Sequence, residues 1–268
     1  MFPKAEGYDV EIIDVASADV LRARYESIGV SSTKIEDVDH VTDGRPMHEV
    51  IGSSPRYDWI YSSHSIEHIP DFIGFFKSAE FLLKPGGVLV MVVPDKRYMF
   101  DAYQMPSTTG DVIQAHLEGR SRHSVARVFD FHASYARLNG EKDIWTFYEQ
   151  GVVDLVGSVE AAHAQTRAAV ENAAYIDVHG WYFTPSSFRL IMRDLNEVGL
   201  VKLREASVVE TGLCEFYVVF SLSASGCSID RQELVRQVIR DQTISGLQIL
   251  APHNQNSDLW RTLQLATS

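Results

Sequence analysis

Hydrophobic and polar positions form their clearest pattern between Tyr57 and Asp95. Tyr57 to Tyr61 is mostly apolar and predicts a strand. Asp71 to Leu83 carries apolar residues at the helical period of about 3.6, which predicts an amphipathic helix. Val88 to Val93 is apolar at every position, as in a parallel strand covered on both faces. This order of elements predicts part of an α/β sheet. The predicted buried face of the helix consists of Phe72, Phe75, Phe76, Ala79, Leu82 and Leu83.

The residues before this block predict two shorter strands. Tyr8 to Ile13 is rich in apolar residues and leads to Asp14, and Thr33 to Val38 is a second candidate. Between them, Ser17 is suited to cap a helix that ends at Gly29. The predicted apolar side of that helix consists of Val20, Leu21 and Tyr25.

The residues from 180 onward also predict regular elements. Thr184 followed by Pro185 predicts the start of a helix, because threonine caps helices and proline fits the first helical position. Val201 to Val209 and Glu215 to Leu222 predict two strands joined by a short turn, and another amphipathic helix follows them. The predicted buried residues are Phe188, Ile191, Met192 and Leu195 in the first helix, and Leu234, Val235, Val238 and Ile239 in the second.

Residues 101–179 interrupt this alternation of strands and helices. They contain many alanines and are too long for a simple connection, so we expect a mostly helical insertion. The expected division is a core at 1–100, an insertion at 101–179, completion of the core at 180–225, and a C-terminal helix and tail at 226–268. The expected fold class is α/β, with a doubly wound, mostly parallel sheet that ends in an antiparallel hairpin.

The composition narrows the classes of function. The 268 residues carry a net charge of −12, which argues against nonspecific binding to nucleic acid or to an anionic membrane. The two cysteines, Cys214 and Cys227, have no paired spacing, as is typical of a reducing compartment. No apolar run has the length of a signal peptide or a membrane span. We therefore expect a cytoplasmic protein with neither nucleic acid nor membrane as a partner.

Two motifs within the opening block occur together at a specific separation. They are SSHSIEHIPD at 62–71 and LKPGGVL at 83–89. Together they resemble the class I S-adenosylmethionine-dependent methyltransferases, especially type 11-like members with an S-x-x-x-E-H loop and an L-K-P-G-G turn. The resemblance covers residues 8–95 and, more loosely, 180–222. It implies a Rossmann-like sheet, S-adenosylmethionine as the cofactor, and methyl transfer as the reaction.

The resemblance implies cofactor contacts from the first part of the chain. Asp14 would bind the ribose of the cofactor, and Asp39 and His40 would lie on its adenine side. For Asp14 a second interpretation is open, because aspartate is common as a cap of turns.

Further cofactor contacts are implied in the first motif. Ser63 and His64 would lie beside the methionine portion of the cofactor, in part through their backbone. Glu67 and His68, the last two residues of the S-x-x-x-E-H pattern, are more typical of loop structure than of chemistry.

One part of the family pattern is missing. The family places a central strand and a glycine-rich loop directly before the strand that here starts at Tyr8, whereas Gly7 is the only glycine before it. That loop lets the backbone approach the cofactor closely. The two explanations are a start at an internal methionine and a loss of normal cofactor binding. The remaining motifs favour the first, and we expect a sheet without its usual first strand.

Methyl transfer to oxygen benefits from a general base, and Asp177 with His179 is the best candidate pair. In an extended segment residues two apart face the same way, so this carboxylate would orient the imidazole. Tyr175, Trp181 and Phe183 would share that face and line an acceptor pocket. The alternative is that Asp177 and His179 only anchor the chain before the Thr184 helix.

A second polar cluster lies in the insertion. It suits recognition of an anionic or polyhydroxylated acceptor, because arginine binds phosphate and carboxylate through paired donors. The alternative is a solvated helical surface. The cluster consists of His116, Arg120, Arg122, His123, Asp130 and His132.

No metal site is expected from the spacing of ligands. His64 and His68 are four residues apart, but they flank a loop and precede Pro70. No H-E-x-x-H motif and no paired cysteines occur in the sequence.

The leading hypothesis is an S-adenosylmethionine-dependent methyltransferase that methylates an oxygen of a small or glycan-like acceptor. A second hypothesis is a non-catalytic methyltransferase-like binding or scaffold protein, since the glycine-rich loop is missing. A nucleotide-sugar or NAD-binding enzyme is disfavoured, because the residues at 62–71 do not resemble those families.

Overall fold

The computed structural model describes residues 3–27, 29, 31–42, 44–52, 54–144, 152–172 and 175–250. They divide into two units, one before Pro55 and one from Pro55 onward. The strands are β1 (Ile13–Asp14), β2 (His40–Val41), β3 (Tyr57–Ser63), β4 (Leu83–Pro94), β5 (Ala136–Leu138), β6 (Lys142–Asp143), β7 (Val153–Leu155), β8 (Arg204–Glu210) and β9 (Glu215–Ser221). The helices are α1 (Ala18–Ser27), α2 (Met47–Ile51), α3 (Phe72–Leu82), α4 (Thr109–Leu117), α5 (Val125–Ala133), α6 (Val159–Asn172), α7 (Pro185–Glu197) and α8 (Arg231–Leu250).

The first unit contains a short parallel pair of strands, β1 and β2, in which Asp14 lies opposite Val41. The second predicted strand, Thr33 to Val38, is wrong in position, because the structure places β2 later in the chain. Arg22 explains the difference: its guanidinium donates to the Ile35 carbonyl at 2.9 and 3.2 Å and to the Asp37 carboxylate at 2.9 Å. These bonds occupy a carbonyl that a strand would need for its ladder.

Helix α1 lies where the sequence predicts a helix, but its buried side differs. Ala18 and Leu21 are buried, whereas Val20 and Tyr25 are exposed by 57% and 43%. Adjacent helical residues point about 100° apart, and in α1 this rotation takes Val20 out of the buried face that contains Leu21.

The main sheet of the second unit has the strand order β3–β4–β9–β8. β3 and β4 are parallel and are joined through α3, while β8 and β9 form an antiparallel hairpin on the other side of β4. This arrangement confirms the mixed α/β class and the C-terminal hairpin. Within the described part of the chain, β3 is an edge strand of this sheet.

The aromatic core of the second unit lies between the sheet, α3 and α7. Phe72 lies 5.9 Å from both Phe183 and Phe188, measured between ring centroids, and Phe76 lies 5.4 Å from Phe220. The helical pattern at 71–83 is confirmed, since its six predicted core side chains are buried. Aromatic pairs at these separations add to the hydrophobic gain from burial.

Helix α7 begins as the sequence predicts. Thr184 is its N-cap, Pro185 takes the first helical position, and the Thr184 hydroxyl accepts from the Ser187 N–H at 3.2 Å. The predicted stripe of Phe188, Ile191, Met192 and Leu195 is buried. In α8, Leu234 is buried as predicted, whereas Ile239 is 61% exposed.

The segment between β4 and α7 contains α4, α5 and α6. It also contains a small antiparallel sheet of order β6–β5–β7, which the sequence pattern did not predict because strands of two or three residues show no periodicity. Of the helices in the described residues, none combines the length and apolar character needed to cross a membrane.

Candidate active site

The candidate site lies at the carboxyl ends of the parallel strands β3 and β4, the usual position of ligands in open α/β sheets. His64 follows β3 directly and has a φ of 46°, in the left-handed region that side chains other than glycine rarely adopt. A short 3₁₀ turn, Ile66–His68, comes next. This turn places Glu67 and His68 at the centre of the site.

The turn is held by a segment from far along the chain. The Glu67 carbonyl accepts from the Gly180 N–H at 2.8 Å and the Trp181 N–H at 3.3 Å. The indole Nε1 of Trp181 donates to the Ile69 carbonyl at 2.7 Å. The extended residues before α7 therefore fix the turn that follows β3.

His123 and Tyr175 bind another backbone carbonyl of the turn, that of His68. Both the His123 Nε2 and the Tyr175 hydroxyl lie 3.0 Å from the His68 carbonyl oxygen. Since a carbonyl only accepts, His123 carries a proton on Nε2. Burial lowers the pKa of His123 to about 4, so it is neutral at physiological pH.

Two histidines of the site have carboxylate partners. His179 Nδ1 lies 2.5 Å from Asp101 Oδ2, and both side chains are only 5% exposed. His68 Nδ1 lies 2.8 Å from Asp177 Oδ1, a close charge contact outside linear hydrogen-bond geometry. Burial disfavours the charged imidazolium, but the Asp101 carboxylate outweighs burial and raises the pKa of His179.

The hydrogen-bond partner of His179 is therefore Asp101 rather than the predicted Asp177. Residues two apart in an extended segment share a face, but Asp101, 78 residues away in sequence, takes the hydrogen-bonding position beside the imidazole. Asp177 contacts His68 instead. No local spacing signals the Asp101 contact, because it depends on how the segment after β4 returns to the sheet.

Glu67, for which the sequence predicted a role in loop structure, lies at the centre of the site. It is fully buried, and neither carboxylate oxygen has a hydrogen-bond partner among the described residues. Its Oε1 lies 3.8 Å from His68 Nε2. The rings of His68 and His179 meet edge to face with centroids 4.7 Å apart. Glu67, His68 and His179 form one cluster, which we call the histidine–glutamate cluster.

The predicted cofactor contacts in the first unit have partners of their own. Asp14 ends β1, and its Oδ1 accepts from the N–H of the next residue, Val15, at 2.6 Å. A turn cap would accept from a residue two or three positions further on. A carboxylate has about four acceptor positions, so ribose binding by Asp14 stays a prediction.

Asp39 and His40 are engaged with residues at the start of the chain. Asp39 binds the Lys4 ammonium and accepts from the Ile12 N–H at 2.7 Å, and the Lys4 contact lowers the pKa of Asp39. His40 Nε2 lies 2.6 Å from Glu11 Oε2. These contacts tie residues 4–12 to β2, and the adenine-side role of both residues stays a prediction.

Ser63 and His64 lie where the sequence places them, at the end of β3. The His64 N–H donates to the Val92 carbonyl at 3.0 Å, and its Nε2 lies 2.8 Å from Glu215 Oε2. His64 therefore connects the ends of β3, β4 and β9.

Comparison with known protein families identifies the family of this chain. A family model described as a methyltransferase domain matches residues 1–197. The chain belongs to this methyltransferase family. The match confirms the resemblance that the two motifs of the sequence carry.

Solved structures also match the chain, at low sequence identity. Fourteen solved chains match. One is the PH0226 protein from Pyrococcus horikoshii OT3, at 14% identity over 81% of this chain and 73% of that chain, with a TM-score of 0.37. Another is the CcbJ methyltransferase from Streptomyces caelestis, at 11% sequence identity over 81% of this chain and 80% of that chain, with a TM-score of 0.38. A third structure is described as conversion of a disulfide bond into a thioacetal group during echinomycin biosynthesis. It has 14% sequence identity over 87% of this chain and 75% of that chain, with a TM-score of 0.35. No curated protein matches. These likenesses are too low to support an argument.

The predicted acceptor residues of this methyltransferase separate into two groups. Arg120, Arg122 and His123 line a cavity of about 420 Å³ between the α4–α5 connection and the end of α6. His116 is not among its lining residues, and its Nδ1 lies 2.9 Å from an oxygen of Asp71. Trp181 is buried and lies outside the lining too, so its observed contacts are those of a packing residue.

The remaining predicted positions have other surroundings. Phe183 is part of the aromatic core rather than a pocket wall. Arg120 donates through Nε to Glu118 at 2.6 Å, which lowers the pKa of Glu118. Burial lowers the pKa of His132, and the Asp130 carbonyl accepts from Gln104 at 2.7 Å.

Gly180 is required by the close approach of His123. A methyl group at position 180 would lie 2.2 Å from Nδ1 of His123 and 2.4 Å from its Cε1. The buried ring would have to move and break its bond to the His68 carbonyl. We expect Gly180→Ala to lower the free energy of unfolding by about 1–3 kcal/mol, measured by urea denaturation.

Gly110→Ala is the matched control for this substitution. Gly110 lies in α4, and an added methyl group would meet Thr108 Oγ1 at an ordinary 3.6 Å. Alanine is favoured over glycine in a helix, so this variant should be at least as stable as the wild type. Equal stability of the two variants would contradict the packing argument.

Proposed function

We propose that this protein is an S-adenosylmethionine-dependent methyltransferase that methylates an oxygen atom of a small or glycan-like acceptor. The family assignment supports methyl transfer. The observation that carries the proposal is the buried Asp101–His179 pair beside Glu67 and His68, at the carboxyl ends of β3 and β4. A carboxylate-held imidazole is suited to assist removal of a hydroxyl proton.

In the second unit, the backbone at Ser63 and His64 is proposed to hold the methionine portion of the cofactor. In the first unit, Asp14 stays a candidate for binding ribose hydroxyls. When bound, S-adenosylmethionine supplies an electrophilic methyl group on a sulfonium sulfur. The strained backbone of His64, which adjoins both the end of β3 and the turn, supports a ligand-binding role for this position.

The protein's own contribution is alignment and proton removal. Transfer of a methyl group between sulfur and oxygen requires the acceptor oxygen in line with the methyl carbon, so most of the rate gain comes from positioning. His179 Nδ1 is engaged by Asp101, which leaves Nε2 as the ring nitrogen available to take the proton. Phe100 and Phe131, with ring centroids 4.8 and 5.9 Å from that of His179, help to exclude water.

The acceptor is proposed to bind in the cavity next to His123. Arg120 and Arg122 line it and would contact hydroxyl or anionic groups, and its volume of about 420 Å³ is in the range of small-molecule sites. The net charge of −12 supports an acceptor other than nucleic acid or an anionic membrane.

The test is methyl transfer from labelled S-adenosylmethionine to a panel of sugars and small phenols. For an accepted substrate, His179→Ala should reduce turnover by about a hundredfold to ten-thousandfold, while calorimetry shows unchanged cofactor affinity. The matched control is His163→Ala, since His163 is exposed on α6, and it should retain full turnover.

Two results would contradict the proposal. If His179→Ala retains full turnover, His179 takes no part in the reaction. No binding of S-adenosylmethionine, by this chain or by one extended upstream, would leave a non-catalytic methyltransferase-like protein as the better description.

A further inference from the structure

We propose that Glu67, His68 and His179 bind a divalent transition-metal ion. Each residue offers one ligand atom, and the three atoms lie within 4.8 Å of one another. Ligand atoms at about 2.0–2.2 Å from a shared zinc ion are separated by a little over 3 Å in tetrahedral geometry. The observed 3.8 Å between Glu67 Oε1 and His68 Nε2 needs only small side-chain adjustments to reach that separation.

The buried Glu67 carboxylate is an independent indication of a ligand. It is fully buried, with no hydrogen-bond partner for either oxygen among the described residues. An isolated buried carboxylate is costly, and buried charges are normally paired or bound to metal. Its Oε1 lies 3.8 Å from both His68 Nε2 and His64 Nδ1. A divalent cation bound beside this carboxylate would compensate its negative charge.

The carboxylates behind the two histidines fit the same interpretation. Metal-binding histidines commonly have a carboxylate or carbonyl at the ring nitrogen that does not bind the metal. Here Asp101 lies at Nδ1 of His179 and Asp177 lies at Nδ1 of His68. Both histidines are therefore oriented with Nε2 toward the centre of the cluster. Two separate carboxylate–histidine pairs that converge on one buried glutamate are difficult to explain as packing alone.

The ligand set indicates the class of cation and its function. Two imidazoles and one carboxylate suit zinc, manganese or iron(II), and three protein ligands leave coordination positions open. Such a cation lowers the pKa of a bound hydroxyl or water. This role in methyl transfer rests on the proposed function, and it would replace proton removal by His179, whose Nε2 then binds the cation. Cation binding itself does not depend on the proposed function.

The spacing of residues in sequence could not reveal this site. Glu67 and His68 are adjacent, and the third ligand, His179, lies in the segment before α7. The expectation of no metal site rested on patterns that are local in sequence: histidines at helical spacing, the H-E-x-x-H motif and paired cysteines. The cluster forms because the backbone of Gly180 and Trp181 binds the Glu67 carbonyl.

The test is calorimetric titration of EDTA-treated protein with Zn²⁺ and Mn²⁺, supported by the visible spectrum of the Co²⁺ form. The wild type should bind a single cation per chain, and Co²⁺ should give bands of nitrogen and oxygen ligation. Glu67→Gln keeps the shape of the side chain and should weaken binding by at least about tenfold to a hundredfold. The control His163→Ala should bind like the wild type.

Thermal unfolding separates loss of a ligand from loss of the fold. In EDTA, Glu67→Gln should unfold at the same or a higher temperature than the wild type, because it removes a buried unpaired charge. Added Zn²⁺ should raise the unfolding temperature of the wild type and not that of the variant. No binding by the wild type, or equal binding by wild type and Glu67→Gln, would overturn the proposal.

Activity distinguishes this inference from the proposed function. If EDTA-treated protein transfers methyl groups at the full rate, the cation has no role in the reaction and methyl transfer still stands. If the protein binds cations but not S-adenosylmethionine, the proposed function fails while the metal site remains.

Discussion

Replacing Asp101 with asparagine is expected to lower the turnover of methyl transfer by about a hundredfold to ten-thousandfold. The carboxylate accepts from Nδ1 of His179 at 2.5 Å and so fixes the tautomer and the orientation of the ring. Asparagine can present its amide NH₂ to the ring and favour the opposite tautomer, which would place a proton on Nε2. Both residues are buried, so solvent has little access to restore the original arrangement.

The measurement is the turnover number of Asp101→Asn together with its affinity for S-adenosylmethionine, which should not change. Asp177→Asn is the matched control, because Asp177 is 35% exposed and its carboxylate contacts His68, whereas Asp101 binds His179 directly. Its loss of turnover should be much smaller, about tenfold. A larger loss in Asp177→Asn than in Asp101→Asn would favour the pairing that the sequence predicted.

Lys96→Met is expected to remove a rise in stability with pH. Burial lowers the pKa of Lys96 from 10.5 to about 8, although nearby carboxylates of Asp95 and Asp101 oppose the shift. Between these two pH values the unfolded chain binds more protons than the folded protein, so the free energy of unfolding increases with pH. Relative to Lys96→Met, the wild type should gain about 3 kcal/mol between pH 8 and pH 10.5.

The measurement is urea denaturation of both proteins at several pH values across this window. The comparison with the variant cancels the titration of tyrosines and cysteines, which both proteins share. Methionine has a similar length and suits a buried site, although the Ala102 carbonyl loses the bond from Lys96 Nζ. Loss of this bond changes the free energy of unfolding by the same amount at every pH, so it does not alter the dependence on pH. If the free energy of unfolding changes with pH in the same way in both proteins, the lowered pKa of Lys96 is contradicted.

The parts of the fold that the sequence predicted well have local causes. Helix α7 begins at Thr184 and Pro185 because a cap and a fixed φ act within a single turn. Helix α3 and strand β4 lie at or close to their predicted positions, because long apolar runs of one period leave little choice of buried face. The hairpin of β8 and β9 follows from two β-rich segments joined by a short turn.

The parts that the sequence could not predict depend on distant contacts. The position of β2 is set by bonds from Arg22 to Ile35 and Asp37, which no periodic pattern reveals. The partner of His179 is set by the course of the chain after β4, which brings Asp101 to the imidazole. Sequence reasoning found His179, but it missed Asp101 and undervalued Glu67, because the environment of a carboxylate is a property of the folded chain.

The turn that contains Glu67 and His68 is made of residues adjacent in sequence, yet it is held by partners synthesised much later. The bond from Trp181 to the Ile69 carbonyl closes a loop of 112 residues. Loops of this size close only after much of the chain has lost its conformational freedom. During synthesis, a chain that ends at α5 already contains the S-x-x-x-E-H motif but lacks both His179 and the backbone donors that shape it. A chain that ends before residue 181 therefore contains the motif without the partners that hold it in its folded conformation.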